Sequence, residues 1–383
     1  MGRRPTGRVT IHDVARAAGV SVSTVSRVIR QHPDVQEDTR AAVLAAIDRL
    51  QYRPSYIARA LVSGETRLLA LLVSDFTNPF YPQLARSIEE AADRVHYTVV
   101  VCNTRDTTAD ALRHLTRLLS QGLDGVIHAA AGPDEAAVLA ALGDPRRIVF
   151  TNRPPRSRSV SYVISDNAAG AAALTSHLLS LGHRRIGFIS GPSYARNATE
   201  RLCGFRDTMS GTPDAEPLVE QGEFSKSSGE RAVQKWLRSE APPTAIIAIN
   251  DSVALGAMEE LIRLGLSVPD DIALAGFDGT DLAASPVLSL TSVDQHIGEM
   301  GRLSVSILLQ QLGSTVFSQT REVLPTQLLI RRSTAGPSVL LPKLSTAPVR
   351  DAGIDAGVTD PVRHAADLAA DLAIPATRRA PSA

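Results

Sequence analysis

Cysteine is nearly absent from this chain of 383 residues: Cys102 and Cys203 stand far apart, each among apolar neighbours. That excludes a disulfide framework and a thiolate metal site, and both thiols are expected to be packing residues. Lysine is almost as scarce, confined to Lys226, Lys235 and Lys343, so arginine carries the basic charge. With the abundant alanine this reflects a GC-rich genome rather than a mechanism. No segment reaches the roughly 18 consecutive apolar residues needed to cross a bilayer. The N-terminus has no apolar signal core either, so no membrane partner is expected and the cytoplasm is the expected location. Catalytic signatures are missing as well. There is no GxSxG elbow, GxGxxG fingerprint, Walker loop or HExxH pair, and the nine histidines are scattered, so neither an enzyme nor a cofactor or metal requirement is expected. What remains is ordinary folding material: a hydrophobic content of 44% and a length sufficient for two or three domains.

The most informative stretch is Val9 to Leu50. Ile11, Val14, Ala15 and Ala18 recur at i, i+3, i+4, i+7, the stripe of a short buried helix, and Gly19 supplies the backbone freedom for a sharp turn after it. Ser21 stands where its hydroxyl can cap a second helix, whose inward face would be Val25, Val28 and Ile29. Val22, Ser23, Ser26, Arg27 and Arg30 would then share the outer face, a size and shape that fits the DNA major groove, with Arg27 as the best base reader. A third helix, Glu37 to Leu50, would cover both with Val43, Leu44, Ile47 and Leu50. Any three-helix unit buries such stripes, but charge favours the DNA reading. Residues 1–67 carry eleven arginines against six acidic residues, while the whole chain is neutral. A basic head on an acidic body suits counterion release from phosphates. Beyond it, Pro54 breaks the chain, Ser55 can cap a short helix, and Ile57 and Leu61 share a face at i, i+4. A helix this short is marginal alone in water and should be ordered only against a second copy and DNA.

After residue 67, short apolar runs alternate with amphipathic stretches: Leu68 to Val73, Thr98 to Cys102, Gly125 to His128, Ile148 to Phe150, Ile186 to Ser190, Ala245 to Ile249 and Ile272 to Gly276. This is a βαβ rhythm, hence parallel sheets, with too many strands for one compact half. Asp166 to Gly170 marks a plausible crossing into a second half. From Gly336 onward the chain is rich in Ala, Pro and Arg. Val362 to Leu372 could form a short helix but lacks the heptads of a tetramerising zipper, so a dimer is expected.

VTIHDVARAAGVSVSTVSRVIR and YRPSYIARAL, followed by NPFY at Asn78 to Tyr81, ISGP at Ile189 to Pro192, IND at Ile249 to Asp251 and GFD at Gly276 to Asp278, resemble the lactose-repressor (LacI) family of bacterial transcription regulators, to about Ser333. The resemblance implies an all-α helix-turn-helix head, residues 1–53; a hinge helix and linker, 54–66; an α/β two-lobe effector domain like the periplasmic binding proteins, 67–335, with three crossovers; and a tail, 336–383, expected to be disordered. It implies double-stranded operator DNA as partner, a homodimer matching a pseudo-palindromic site, and DNA contacts from Thr10, Ser21, Val22, Ser23, Thr24, Ser26, Arg27, Arg30, Ser55, Ala58 and Leu61. Leu61 matches the leucine that family members wedge into the minor groove, where unstacking costs on the order of a few kcal/mol.

The small-molecule effector would lie between the lobes, where loops from strand ends converge. Asp75, Phe80 and Tyr81 follow the first strand; Asn197, Arg201, Phe224, Asn250 and Asp278 belong to the second lobe, and Gln295 to a crossover. Carboxylates, amides and arginine hydrogen-bond hydroxyls in pairs, and an aromatic face stacks on a sugar ring, so the mixture favours a sugar. By resemblance Arg201, Asn250 and Asp278 match ligand contacts, and Phe224 an aromatic wall. Duller roles are also open: Phe80 as a core aromatic, Asp251 as a cap of the helix near Ser252, and Asp278 closing a turn before Thr280. The sequence departs from the family pattern in places. Arg30 replaces the usual Asn, and Gln36 stands where Ser usually caps the third helix. Val22 and Ser23 carry little base information, and Ala195 replaces the Arg of purine-responsive relatives. The expected function is a ligand-responsive repressor of carbohydrate genes. The alternatives are an activator or corepressor-dependent regulator answering a metabolite such as a nucleoside, a sugar receptor without a transcriptional role, and an enzyme on the same scaffold.

Overall fold

The computed structural model describes residues 9–29, 32–52, 66–130 and 135–335. The expected hinge, with Ser55, Ile57, Ala58 and Leu61, lies outside the described residues, as do Arg30 and the tail from Gly336.

Three helices form the head: α1 (Ile11–Ala18), α2 (Val22–Ile29) and α3 (Glu37–Arg49). The Asp13 carboxylate accepts the Thr10 backbone N–H at 3.0 Å and its hydroxyl at 2.7 Å, fixing the start of α1. Gly19, at φ 68°, ends it, and the Val20 N–H reaches back to the Ala15 carbonyl. Ser21 Oγ accepts from the Thr24 N–H at 3.1 Å, the expected cap of α2. Gln36 precedes α3 without a side-chain cap. Val14, Ala15, Val25, Val28, Val43 and Ala46 make the core, closed by Tyr52. Two expectations need correction. Leu44 is 51% exposed, and Ala46 fills the inward place instead, because 43, 46, 47 and 50 is the helical stripe that faces α1 and α2. Val22 is half-buried against this core rather than free on the outer face.

The body holds two six-stranded sheets. The first is ordered β11 (Arg321–Leu324), β5 (Ser161–Ser165), β4 (Ile148–Thr151), β3 (Gly125–His128), β1 (Leu68–Val73) and β2 (Thr98–Asn103), all parallel. The second is ordered β12 (Gln327–Leu329), β10 (Thr291–Asp294), β9 (Ala273–Asp278), β8 (Ala245–Ala248), β6 (Arg185–Ser190) and β7 (Glu216–Gln221), with only β12 antiparallel. Helices α4 (Phe80–Asp93), α5 (Thr108–Leu119), α6 (Glu135–Leu142) and α12 (Ile297–Leu312) flank the first sheet. The second is flanked by α7 (Asn167–Ser180), α8 (Arg196–Ser210), α9 (Lys226–Leu237) and α10 (Asp251–Arg263), with the short α11 (Asp281–Ala284) after β9.

The chain crosses between lobes three times: after β5, after β10 and between β11 and β12. The second crossing delivers α12 to the first lobe, where Met300, Val305 and Leu308 pack with Leu84 and Ile88 of α4. The Ser165 hydroxyl donates to the Gln295 carbonyl at 3.1 Å, tying the first crossing to the second. Five strands were not among the runs read from the sequence: β5, whose Tyr-Val-Ile run is short, and β7, β10, β11 and β12. Of these β7, β11 and β12 lie at sheet edges, where one side meets water and polar residues are tolerated. Cys102 is buried as expected, but Cys203 is exposed on α8. Among the described residues no helix is long and apolar enough to cross a membrane.

Close packing in the second lobe depends on two glycines. A Cβ on Gly229 of α9 would collide with the Val253 carbonyl oxygen of α10, and one on Gly256 of α10 would collide with the Lys226 carbonyl oxygen. Gly256→Ala is therefore expected to destabilise the body by about 1–3 kcal/mol, as overpacking does, lowering the melting temperature by several degrees. An unchanged melting curve in calorimetry would show that the two helices can separate at no cost.

Candidate functional site

On the head, the start of α2 presents a cluster of hydroxyls. Ser21 Oγ lies 2.7 Å from Ser23 Oγ and 2.8 Å from Thr24 Oγ1. Ser23 and Arg27 are exposed, Ser26 is half-buried, and Thr10 stands exposed at the start of α1. Hydroxyls at a helix N-terminus, with an exposed guanidinium in the last turn of the same helix, are groups that meet phosphates and base edges.

In the body, the C-terminal strand ends of both sheets face one cleft. Its open part has a volume of about 470 Å³ and is lined by Ser74, Asp75, Tyr81, Arg153, Tyr194 and Phe224 among others. A narrow inner part is lined by Phe80, Tyr81, Asn197, Arg201, Phe224, Asn250 and Asp278. Every effector residue expected from the sequence thus borders the cleft except Gln295. That side chain is fully buried behind Asp278, to which its amide donates at 2.6 Å. Phe80 is also part of the first-lobe core, edge-to-face against Tyr81 at 5.4 Å.

Arg201 is the hub of the inner part. Only 2% exposed, it lies over the Phe277 ring at 3.7 Å, donates from Nε to Asn167 Oδ1 at 2.9 Å and from Nη1 to the Ile249 carbonyl at 2.6 Å, and pairs with Asp278 at 3.4 Å. Asp278 ends β9 at φ 116°, a conformation rare for a residue with a side chain and held here by its surroundings. Burial outweighs Arg201 and pushes the Asp278 carboxyl up to about 7. The expectation that Asp251 caps α10 is corrected. Asn250 does so, accepting from the Val253 N–H at 2.8 Å, while Asp251 turns inward to accept from Thr280 and Ser292 and is raised by burial to about 6. Thr280 in turn caps α11. Asp75 accepts from the Thr77 N–H and hydroxyl, which fixes the loop after β1.

The sequence reading missed Arg153. It is 7% exposed, donates from Nη2 to the Tyr81 hydroxyl at 3.1 Å, and lies over the Phe224 ring at 4.9 Å. Its position, in Asn-Arg directly after β4, was the available signal, since ligands meet α/β sheets at the C-terminal ends of strands. Carboxylates, amides, two buried guanidinium groups and an aromatic wall make a site that can hold a hydroxylated ring by hydrogen bonds and stacking. Among the described residues no group of three or more His, Cys, Asp or Glu is gathered that could hold a metal ion.

The ionised Asp278 carboxylate accepts hydroxyl hydrogen bonds more strongly than the neutral acid. Since the group titrates at about 7, binding of a hydroxylated ligand is expected to strengthen as pH rises from about 6 to about 8 and then level off. Asp278→Asn should flatten the profile and weaken binding roughly tenfold or more. Calorimetry across that range decides; a wild-type profile that is flat would remove Asp278 from the ligand's contacts.

Comparison with known proteins adds an independent line. Residues 10–55 match the family model "Bacterial regulatory proteins, lacI family", and residues 175–334 match "Periplasmic binding protein-like domain". The transcriptional regulator DegA of Bacillus subtilis is 35% identical over 336 residues, covering 86% of this chain and 98% of its own. The ribose operon repressor of Halalkalibacterium halodurans is 34% identical over 331 residues, 85% and 97% of the two chains. Among solved structures, the Lac repressor dimer bound to operator and the anti-inducer ONPF superposes with a TM-score of 0.76 at 31% identity, over 86% of this chain and all of the other. The chain belongs to the LacI family of bacterial regulatory proteins, as a DNA-binding transcriptional regulator and not an enzyme.

Proposed function

We propose that this regulator binds a pseudo-palindromic operator as a homodimer and represses genes of carbohydrate metabolism, with a sugar as its effector. The cytoplasm, where its DNA target lies, is its place of action. The carrying observation is the inner cleft, where Arg201, Asp278 and Asn250 offer paired hydrogen-bonding groups opposite the Phe224 ring. Asp75, Tyr81 and Asn197 add polar groups around them, while Phe80 shapes the wall and Gln295 orients Asp278 from behind. Among the similar proteins, one is named for a ribose operon and others were solved with cellobiose and with ribose bound, which supports a sugar. Ala195 supports it too: its methyl is buried at the start of α8 and offers nothing to a purine.

On the DNA side, we assign residues 1–53 to the reading head, with contacts from Thr10, Ser21, Val22, Ser23, Thr24, Ser26, Arg27 and Arg30, and residues 54–66 to a hinge contributing Ser55, Ala58 and Leu61. Residues 67–335 form the effector and dimerisation body, followed by the tail from 336 to 383. Ligand closure of the lobes would shift the dimer interface and move the paired hinges, coupling the two sites.

Selection of genomic fragments by the full-length protein at near-physiological salt tests the reading. A short palindrome beside carbohydrate genes is the expected product, and salt-sensitive retention of random DNA alone, with and without added sugars, would contradict it. On the recovered site, Leu61→Ala should weaken binding by roughly 1–3 kcal/mol while leaving random-DNA binding nearly unchanged. Equal losses on both would exclude the minor-groove wedge.

A further inference from the structure

Two arginines are buried in the cleft, and they are treated differently by their surroundings. Arg201 is met by a carboxylate, a backbone carbonyl and an amide oxygen. Arg153 is met by the Tyr81 hydroxyl and little else. Its Nε and Nη1 have no hydrogen-bond acceptor among the described residues, and the carboxylate it pairs with, Asp106, stands 3.7 Å away while accepting from Ser74 at 2.5 Å. A buried guanidinium whose N–H groups lack acceptors is unfavourable and is relieved by a ligand that supplies them.

Arg153 also borders a second, smaller cavity of about 50 Å³ that is lined by Thr108, His128, Phe150, Tyr194 and Arg196 among others. Two more of its polar atoms lack partners among the described residues, Thr108 Oγ1 and His128 Nδ1. His128 is 4% exposed and stacks on Phe150 at 5.0 Å; burial and the nearby Arg153 push it down to about 4, so it is neutral near pH 7 and adds a hydrogen-bonding group without charge. The acid that borders this cavity, Glu135, is already occupied by the backbone N–H groups of Arg156 and Ser157. Arg196 lends its charge from the far wall, with Nη1 on the Pro155 carbonyl. The space is too small for a sugar ring and large enough for a carboxylate or a few waters. Arg153 also borders the open part of the cleft, so a molecule lying there can reach it.

We propose that Arg153, with Thr108 and His128, forms a carboxylate subsite beside the cleft, so that the effector is a sugar acid whose ring lies in the open part of the cleft against Phe224 and whose carboxylate lies on Arg153. This rests on the sugar reading of the cleft. A singly charged carboxylate fits better than a phosphate, because Asp75, Asp106 and Glu223 also border the open part and repel a second negative charge.

The test is calorimetry of the full-length protein with matched probes: glucuronate against glucose, galacturonate against galactose, gluconate against glucitol, then glucose 6-phosphate and hypoxanthine. At least one acid should bind tenfold or more tighter than its neutral partner, about 1.4 kcal/mol. Arg153→Met should abolish that preference, bringing the acid and its neutral partner to affinities within about threefold of each other. Arg153→Lys, which keeps the charge but not the planar donors, should retain part of it, and Thr108→Val should lower acid affinity severalfold with a wild-type melting curve. A neutral sugar that binds as well as its acid, an acid preference that survives Arg153→Met, or glucose 6-phosphate outranking every acid would each overturn the carboxylate subsite while leaving the sugar reading intact. Binding of hypoxanthine with no response to any sugar or sugar acid would overturn both.

Discussion

The buried pairing of Arg201 with Asp278 is the contact on which the proposed effector site depends. Arg201 projects from α8 and joins the start of α7, through Asn167, to the end of β8, through the Ile249 carbonyl, and to the end of β9, through Asp278. Gln295 then braces Asp278 from the second crossing, and the Ser165 hydroxyl binds the Gln295 carbonyl from the first. A charge this deeply buried is stable only when every partner is in place. Anything that repositions Asp278 is therefore felt by two of the three strands of chain that connect the lobes.

That arrangement gives a physical route from ligand to DNA. A hydroxyl donating to Asp278 draws its titration down from about 7 and changes what Arg201 and Gln295 must share. The crossings lead to α12, which packs against α4 of the first lobe. A two-lobe body that closes around its ligand by motion at such crossings is a bistable element of the kind that allosteric regulators use. The second buried guanidinium, Arg153, belongs to the first lobe and shares the Phe224 wall with the second. A ligand held between Arg153 and Phe224 would bridge the lobes by charge as well as by shape.

Much of this was legible before the structure. β1 and β3 are fully or almost fully buried apolar runs, and their bounds are those read from the sequence. Gly19 and Ser21 mark the turn of the head by backbone freedom and capping, which are local properties. The misses share a cause: each was decided by tertiary neighbours. Leu44 looked inward by hydropathy, yet helical phase gave that place to Ala46. Asn250 and Asp251 are both good caps, and only the presence of Thr280 and Ser292 beneath Asp251 settles which one turns inward. β10, with Thr, Ser and Asp, carries no alternation that would separate it from a loop. Arg153 differs locally from exposed Arg156 only in its place at the end of β4; its importance comes from burial against Tyr81 and Phe224.

The central claim is that the DNA-reading head and the cleft are energetically linked. The most direct measurement is operator affinity of the full-length dimer titrated with the sugar or sugar acid that binds the cleft, paired with ligand affinity measured with and without operator. Coupling predicts that both constants shift by the same factor, on the order of 5- to 150-fold, in either direction. An operator affinity that stays constant while the cleft saturates would contradict it.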